Sequence, residues 1–135
     1  MKELNIDYRT HNGIHKKVSF KQGINILSGS AGSGKTLLMR MVTAYCIENN
    51  IKCYYFNSKD SKLTEKEILD ICKDCDVVCF DNGDLYMTRG LLDNLRKTNK
   101  IIILELKITF GLGVSHCPQY FVSYKNKEIK TRCNV

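Results

Sequence analysis

The chain has 135 residues and a mass of 15.5 kDa, which is enough for one hydrophobic core but not for two. Hydrophobic residues make up 43% of the sequence and charged residues 26%, a composition that excludes a disordered tail. The formal net charge of +7 favours polyanionic partners such as nucleotides, nucleic acid or acidic lipid surfaces.

Membrane insertion is not expected from the hydropathy pattern. The longest uninterrupted apolar runs, Ile101 to Leu104 and Val77 to Phe80, are far shorter than the roughly 18 to 20 residues that cross a bilayer. Residues 1–9 hold no signal-peptide stretch. We therefore expect a cytoplasmic protein, and its seven cysteines are expected to be reduced and mostly buried, because several occupy predicted helix or strand positions.

An antiparallel hairpin is predicted at the start of the chain. Leu4, Ile6 and Tyr8 alternate with polar residues, Asn12-Gly13 is typical of a type I′ turn, and residues 14–20 supply the return strand. The later elements, in chain order, are a strand over 24–27, a helix over 35–48, a strand over 51–56, a helix over 64–73, a strand over 77–80, a helix over 84–97, a strand over 101–106 and a hairpin over 119–132.

Strands alternate with helices after residue 23, and this alternation predicts right-handed crossovers between parallel strands. The expected fold class is α/β, with a mostly parallel sheet, helices on both of its faces and antiparallel hairpins at both termini. No repeat or linker divides the sequence, so residues 1–135 are predicted to form a single domain.

A glycine-rich stretch separates the first of these parallel strands from its helix. It fits the pattern G-x-x-x-x-G-K-[ST] at every specified position. Glycines allow positive φ, so that successive N–H groups can converge on a phosphate, while the positive end of the helix points at the same spot. The alternative is a flexible Ser/Gly loop that matches by chance. The predicted nucleotide-binding residues here are Gly29, Ser30, Ala31, Gly32, Ser33, Gly34, Lys35, Thr36 and Leu37.

Two residues of this stretch and one later acid carry the expected chemistry. Lys35 is predicted to reach the β- and γ-phosphates, and the Thr36 hydroxyl to bind Mg²⁺. Asp81 follows the apolar strand Val77 to Phe80 and is the second predicted metal ligand. An acid that merely begins the turn after that strand is the alternative interpretation of Asp81.

Residues 18–45, with the motif at 29–36, resemble the opening of P-loop NTPases of the additional-strand type, the ABC-like and AAA-like ATPases. The resemblance continues through Asp81 and the strand over 101–106 to the final hairpin. It implies Mg-ATP as ligand, and a sheet order of fifth, first, fourth, third and second parallel strand. A strand over 51–56 between the motif strand and the Asp81 strand separates this class from small-molecule kinases.

The sequence departs from that family where catalysis is concerned. Relatives place a Glu after the metal-holding Asp, whereas this chain has Asn82, an amide that cannot accept a proton. Base chemistry would then have to come from Asp84 or another nearby carboxylate. The predicted catalytic set is therefore Lys35, Asp81, Asn82 and Asp84. ABC-type ATPases also carry a Leu-Ser-Gly-Gly-Gln signature and a histidine at the end of the strand that follows the acidic pair, and this sequence has neither.

Two further residue types are implied by the resemblance. Tyr8 lies near the position of an aromatic that stacks on adenine, although pairing across the hairpin is the ordinary use of such a tyrosine. An arginine finger could be Arg89, Arg96 or Arg132, or could come from a protein partner or a second copy of the chain.

Three hypotheses of function follow. The first is an ATP-binding P-loop NTPase with weak or partner-activated hydrolysis, so that its status as an enzyme is open. The second is a nucleotide-gated module without catalysis, in which basic hairpins engage nucleic acid or a protein. A small-molecule kinase is the third, and the lack of an arginine-rich lid argues against it. A zinc site at Cys72 and Cys75 lacks a second pair of ligands.

Overall fold

The computed structural model describes residues 1–30 and 32–134. The chain opens with a separate two-stranded antiparallel sheet, formed by β1 (Glu3–Arg9) and β2 (His15–Lys21). The elements that follow are β3 (Gly23–Ser28), α1 (Lys35–Glu48), β4 (Cys53–Phe56), α2 (Glu65–Cys72), β5 (Val77–Phe80), α3 (Arg89–Arg96), β6 (Ile101–Glu105), β7 (Gln119–Lys125) and β8 (Glu128–Asn134).

The main sheet has six strands in the order β4-β5-β6-β3-β7-β8. All neighbours pair in parallel except β7 and β8, which form the closing antiparallel hairpin. Counted along the chain, the parallel strands stand second, third, fourth, first and fifth. This is the order that the resemblance implied, taken from the opposite edge, and the predicted α/β fold class is confirmed.

Each face of the sheet carries its own apolar core. On one face the N-terminal hairpin and α1 pack together, and Phe20, Leu38 and Val42 are fully buried between them. On the other face α2 and α3 cover Phe56 and Phe80. The central strands are therefore buried on both sides, and their carboxyl ends are held in fixed positions. Across residues 1–30 and 32–134, no helix has the length and apolar character needed to cross a bilayer.

The turn predicted for the N-terminal hairpin is wrong. The N-terminal hairpin does not turn at a two-residue type I′ turn, because Thr10 closes a longer loop by accepting from and donating to Ile14, and of Asn12 and Gly13 only the glycine has a positive φ. The type I′ geometry occurs instead between β7 and β8, where Asn126 and Lys127 both have positive φ, 53° and 60°.

The predicted helix over 84–97 begins later than expected. Residues 83–85 form a single 3₁₀ turn, and α3 starts at Arg89. Thr88 sets this start because its hydroxyl accepts from the N–H of Leu91, a typical N-cap interaction. Asp84 therefore lies in the 3₁₀ turn before α3 and not in the helix itself.

The cysteines provide a test of how the two apolar cores pack. All seven thiols are free; Cys46, Cys72 and Cys79 are buried, whereas Cys133 is exposed. Burial raises the pKa of the Cys46 and Cys72 thiols to about 12, so neither is a thiolate at neutral pH. We expect a thiol reagent at pH 7 to modify Cys133 rapidly and these three only after unfolding, as mass spectrometry of the labelled peptides would record. Equal labelling of Cys72 and Cys133 in the folded protein would contradict the packing of α2.

Candidate functional site

The glycine-rich stretch forms a bend between β3 and α1. Gly29, Gly32 and Gly34 have φ of 152°, 76° and 94°, in the region that glycine adopts without strain. A Cβ atom on Gly29 would stand 2.6 Å from both the Ser33 Oγ and the Val122 carbonyl oxygen. The bend therefore requires glycine for space as well as for conformation. Ala31 of the predicted set lies outside the described residues.

The first turn of α1 lies open towards this bend. No side chain caps the helix at Gly34, so the early N–H groups of α1 are left for another acceptor. Lys35 is folded back over the bend, where its ammonium donates to the Gly29 carbonyl oxygen. Its side chain is only 10% exposed. The arrangement holds a positive charge beside the N-terminus of α1, which suits a bound phosphate.

Thr36 and Asp81 meet although they lie far apart in the sequence. The Thr36 hydroxyl donates to the Asp81 carboxylate over 2.9 Å, joining the first turn of α1 to the end of β5. Tyr55 of β4 donates to the same Asp81 oxygen. Burial, and then the bond to Asp81, raises the pKa of the Tyr55 hydroxyl, which keeps its proton on the oxygen.

This donor set fits a magnesium ion. A hydroxyl and a carboxylate are hard oxygen ligands, and Mg²⁺ is usually held by one or two such protein groups together with waters and phosphate oxygens. Within residues 1–30 and 32–134, no cluster of three His, Cys, Asp or Glu side chains is placed for a metal. The zinc alternative at Cys72 and Cys75 thus has no support among these residues.

Asn82 adopts the left-handed conformation, with φ of 53°, directly after Asp81. Its backbone N–H donates to the Asp81 carboxylate at 3.1 Å and to the Glu105 carboxylate at 3.0 Å. Glu105 ends β6 and is 2% exposed. The site therefore contains a second carboxylate, which the sequence interpretation missed because Glu105 ends an apolar strand. The sequence did carry a signal for it, because Glu105 is the single acidic residue of the apolar strand β6.

Asp84 is used differently from the prediction. Its two carboxylate oxygens accept from the backbone N–H groups of Lys107 and Ile108, at 2.8 and 3.1 Å. It is not among the described residues that line the cavity beside Asp81. Asp84 thus anchors the loop after β6, and its role as a substitute base remains a prediction.

Two cavities adjoin the bend and share Thr36. The first, called the cradle cavity here, measures about 310 Å³ and is lined by residues 32–37 and Tyr124. The second, the acid cavity, measures about 260 Å³ and lies beside Asp81 and Asn82. Leu37 is thus placed with the predicted phosphate-binding residues. The two basic residues that line the acid cavity are Arg40 and Lys59.

Tyr8 and Tyr124 differ in their relation to the cradle cavity. Tyr8 pairs with Lys16 across the N-terminal hairpin and packs against the core beneath it. Among the described residues, the aromatic ring that lines the cradle cavity belongs to Tyr124 of β7, 37% exposed. Stacking of Tyr8 on a base stays a prediction, and Tyr124 is a second candidate that came from the tertiary structure alone.

The candidate arginines occupy surface positions. Arg96 donates to the carbonyl oxygens of Leu112 and Gly113, and so holds the loop before β7. Arg132 lies over the Phe121 ring, 5.2 Å from its centroid. Arg89 lines a cavity together with residues of that same loop. The two arginines with defined partners are engaged in structural contacts.

The bend between strand and helix, the lysine folded over it and the distant carboxylate together define a P-loop NTPase. The chain belongs to the family described as Novel STAND NTPase 5, which matches residues 2–107. Among curated proteins, it is similar to the spermidine/putrescine import ATP-binding protein PotA of Borrelia garinii subsp. bavariensis, with 27% identity over 124 residues. That match covers 87% of this chain but 33% of the relative, so the chain spans about a third of its length.

Two solved structures are similar to the chain at low sequence identity. The flagellar accessory protein FlaH from Methanocaldococcus jannaschii matches with a TM-score of 0.53 and 11% identity, covering 83% of this chain and 76% of its own. A DNA replication initiation factor matches with a TM-score of 0.49 and 19% identity, covering 62% of this chain and 32% of its own. The FlaH likeness agrees with the α/β architecture.

Proposed function

We propose that the chain is a single-domain, ATP-binding P-loop NTPase of the additional-strand class, which binds Mg-ATP at the cradle cavity and hydrolyses it weakly or with a partner's help. The observation that carries the proposal is the 2.9 Å contact between Thr36 and Asp81. It places a hydroxyl and a carboxylate beside the motif, as the chemistry of a metal-bound triphosphate requires. The strand order and the ATP-binding relative support the class and the nucleotide.

Residues 32–36 and Asp81 divide the binding of Mg-ATP between them in this proposal. The N–H groups of residues 32–36 hold the β-phosphate, and Lys35 moves its ammonium from the Gly29 carbonyl to the β- and γ-phosphates. Thr36 and Asp81 hold Mg²⁺, which neutralises charge on the phosphate oxygens when it is bound. Thr36 and Asp81 are in direct contact, so both side chains can reach the same metal ion.

The nucleotide is tested by its effect on thermal stability. A ligand present at about 100 times its Kd adds roughly 2.7 kcal/mol to the free energy of unfolding. In a domain of this size the melting temperature then rises by on the order of 10 °C. We expect this rise with Mg-ATP, a similar one with Mg-ADP and a smaller one with Mg-GTP. A melting temperature indifferent to all three nucleotides would contradict the proposal.

The base is proposed to lie against an aromatic ring, and two tyrosines compete for that role. Stacking on an aromatic side chain is worth about 1 to 3 kcal/mol per base, equivalent to a roughly 5-fold to 150-fold change in Kd. Because Tyr124 lines the cradle cavity, we expect Tyr124→Ala to raise the Kd for Mg-ATP by this factor and Tyr8→Ala to leave it nearly unchanged. Calorimetric titration of both variants measures the difference. The reverse result would restore the adenine contact to Tyr8.

Asn82 favours a second candidate function. Its amide stands where the relatives named above by resemblance carry a Glu, so nucleotide could act as a switch without turnover. The working surface would then be a hairpin engaging nucleic acid or a protein, or a second copy supplying an arginine. Phosphate release measured with and without single-stranded DNA separates the two: DNA binding that depends on ATP without phosphate release would favour the switch.

A further inference from the structure

Glu105 is the one acidic side chain of the site whose purpose the proposed function leaves unexplained. Its Cα pairs with Leu27, two residues before the glycine bend, because β6 lies between β3 and β5 in the sheet. Side chains alternate along a strand, and Glu105 shares the face of Ile101 and Ile103, which pack in the core beneath α1. Its carboxylate therefore projects on the same side of the sheet as the helix that follows the cradle.

The two carboxylate oxygens of Glu105 are in different situations. Oε1 accepts from the Asn82 N–H at 3.0 Å. Oε2 is buried and has no hydrogen-bond partner among the described residues. The nearest cation is the Lys35 ammonium, 3.8 Å from Oε2, which is too far for a hydrogen bond. A buried carboxylate oxygen left without a donor is costly, and it indicates a ligand or water as the missing partner.

The turn that carries Asn82 also packs closely against the end of β6, where Glu105 lies. Gly83 packs so closely on the end of β6 that a Cβ atom there would stand 2.8 Å from the Glu105 carbonyl oxygen and 2.7 Å from Leu104 Cδ1. The turn that carries Asn82 is thus fixed against the strand that carries Glu105. Such support from neighbouring backbone is what a group needs if it is to meet a reacting atom in one defined position.

We propose that Glu105 is the general base for hydrolysis, replacing the Glu that similar ATPases carry at the position of Asn82. This inference rests on the proposed binding of ATP at the cradle. Lys35 is expected to contact the γ-phosphate, and Oε2 lies 3.8 Å from the Lys35 ammonium, so the free oxygen would stand near the end of the nucleotide that reacts. A water there donates one proton to Oε2 as its oxygen bonds to the γ-phosphorus. The bond from that phosphorus to the bridging oxygen breaks, and ADP and inorganic phosphate leave.

The test compares Glu105→Gln with wild type. Glutamine keeps the shape and can still accept from the Asn82 N–H, but its amide cannot take a proton. With protein in excess over Mg-ATP, we expect wild type to convert bound ATP to ADP without any partner. The variant should form ADP about 100-fold or more slowly, while its melting temperature still rises with Mg-ATP. Glu48→Gln, which removes one exposed carboxylate at the end of α1, should retain the wild-type rate.

The other outcomes each decide the matter. Wild-type rates in Glu105→Gln would overturn the proposal, as would wild-type protein that binds Mg-ATP but forms no ADP. Loss of the melting shift in the variant alone would assign Glu105 to nucleotide binding through Lys35, and the base role would be abandoned. No shift in wild type would instead remove the proposed function itself. Should Glu105→Gln show no folding transition, Glu105→Asp decides, because it keeps the charge but withdraws the carboxylate: slower ADP formation supports the proposal, and an unchanged rate refutes it.

Discussion

Replacing Lys35 by alanine is expected to abolish the rise in melting temperature that Mg-ATP gives the wild-type protein. The Lys35 ammonium donates to the Gly29 carbonyl oxygen and lies 3.8 Å from the Glu105 carboxylate. Without it, the phosphates would lose their contact with this ammonium and would face the Glu105 carboxylate directly. The stabilisation of roughly 2.7 kcal/mol expected at 100 times the wild-type Kd should be lost.

The control for this experiment is Lys66→Ala. Lys66 is exposed on α2, which packs on the other face of the sheet, so its loss changes the net charge equally without touching the site. Its melting temperature should respond to Mg-ATP as in wild type. An Lys35→Ala protein that is stabilised by Mg-ATP to the same extent as Lys66→Ala would show that the nucleotide binds elsewhere or is not held by the cradle.

The largest effect on stability is expected from Phe80→Ala. Phe80 is fully buried at the end of β5, and its ring is stacked on Phe56, with centroids 4.8 Å apart and planes at 5°. Its loss removes buried apolar area and opens a cavity between the sheet and the helices α2 and α3, a change that costs about 3 to 5 kcal/mol in comparable cores. Urea denaturation followed by circular dichroism measures this change in the free energy of unfolding.

Phe110 supplies the matched comparison. It is 94% exposed in the loop after β6, and its replacement by alanine should change the free energy of unfolding by no more than about 0.5 kcal/mol. Because Phe80 directly precedes Asp81, we also expect Phe80→Ala to weaken the response to Mg-ATP at temperatures where the variant is still folded. Equal midpoints in urea for Phe80→Ala and Phe110→Ala would contradict the packing described for the second face.

The fold was largely predictable because its elements carry local signals. Helix α1 spans residues 35–48 as predicted, since a three-four apolar spacing follows Gly34, whose left-handed conformation places it before the helix. Thr64 and Glu67 form a capping box at the start of α2, a pattern that the sequence itself displays. The prediction failed at 84–97 because the Asp84 carboxylate accepts from the N–H groups of Lys107 and Ile108 instead of capping a helix, and α3 starts after the Thr88 cap.

The site was predictable only where its residues belong to the motif or to a strand end. Thr36 and Asp81 could be paired in advance, because the ends of parallel strands and the helices that follow them meet at one edge of the sheet. Tyr55 and Tyr124 could not, because each lies within a strand and reaches the site only through strand order and register. Glu105 could have been found by the strand-end rule, since it is a lone acid at the end of the apolar strand β6. Local periodicity carries no information about that arrangement.

The most direct measurement is a crystal structure of the protein with Mg²⁺ and a non-hydrolysable ATP analogue. We expect the β-phosphate within hydrogen-bond distance of the N–H groups of residues 32–36, a metal ion held by Thr36 and Asp81, and the Lys35 ammonium displaced from the Gly29 carbonyl onto the phosphates. A nucleotide seated elsewhere, with Lys35 still bonded to Gly29 and the bend without an anion, would contradict it.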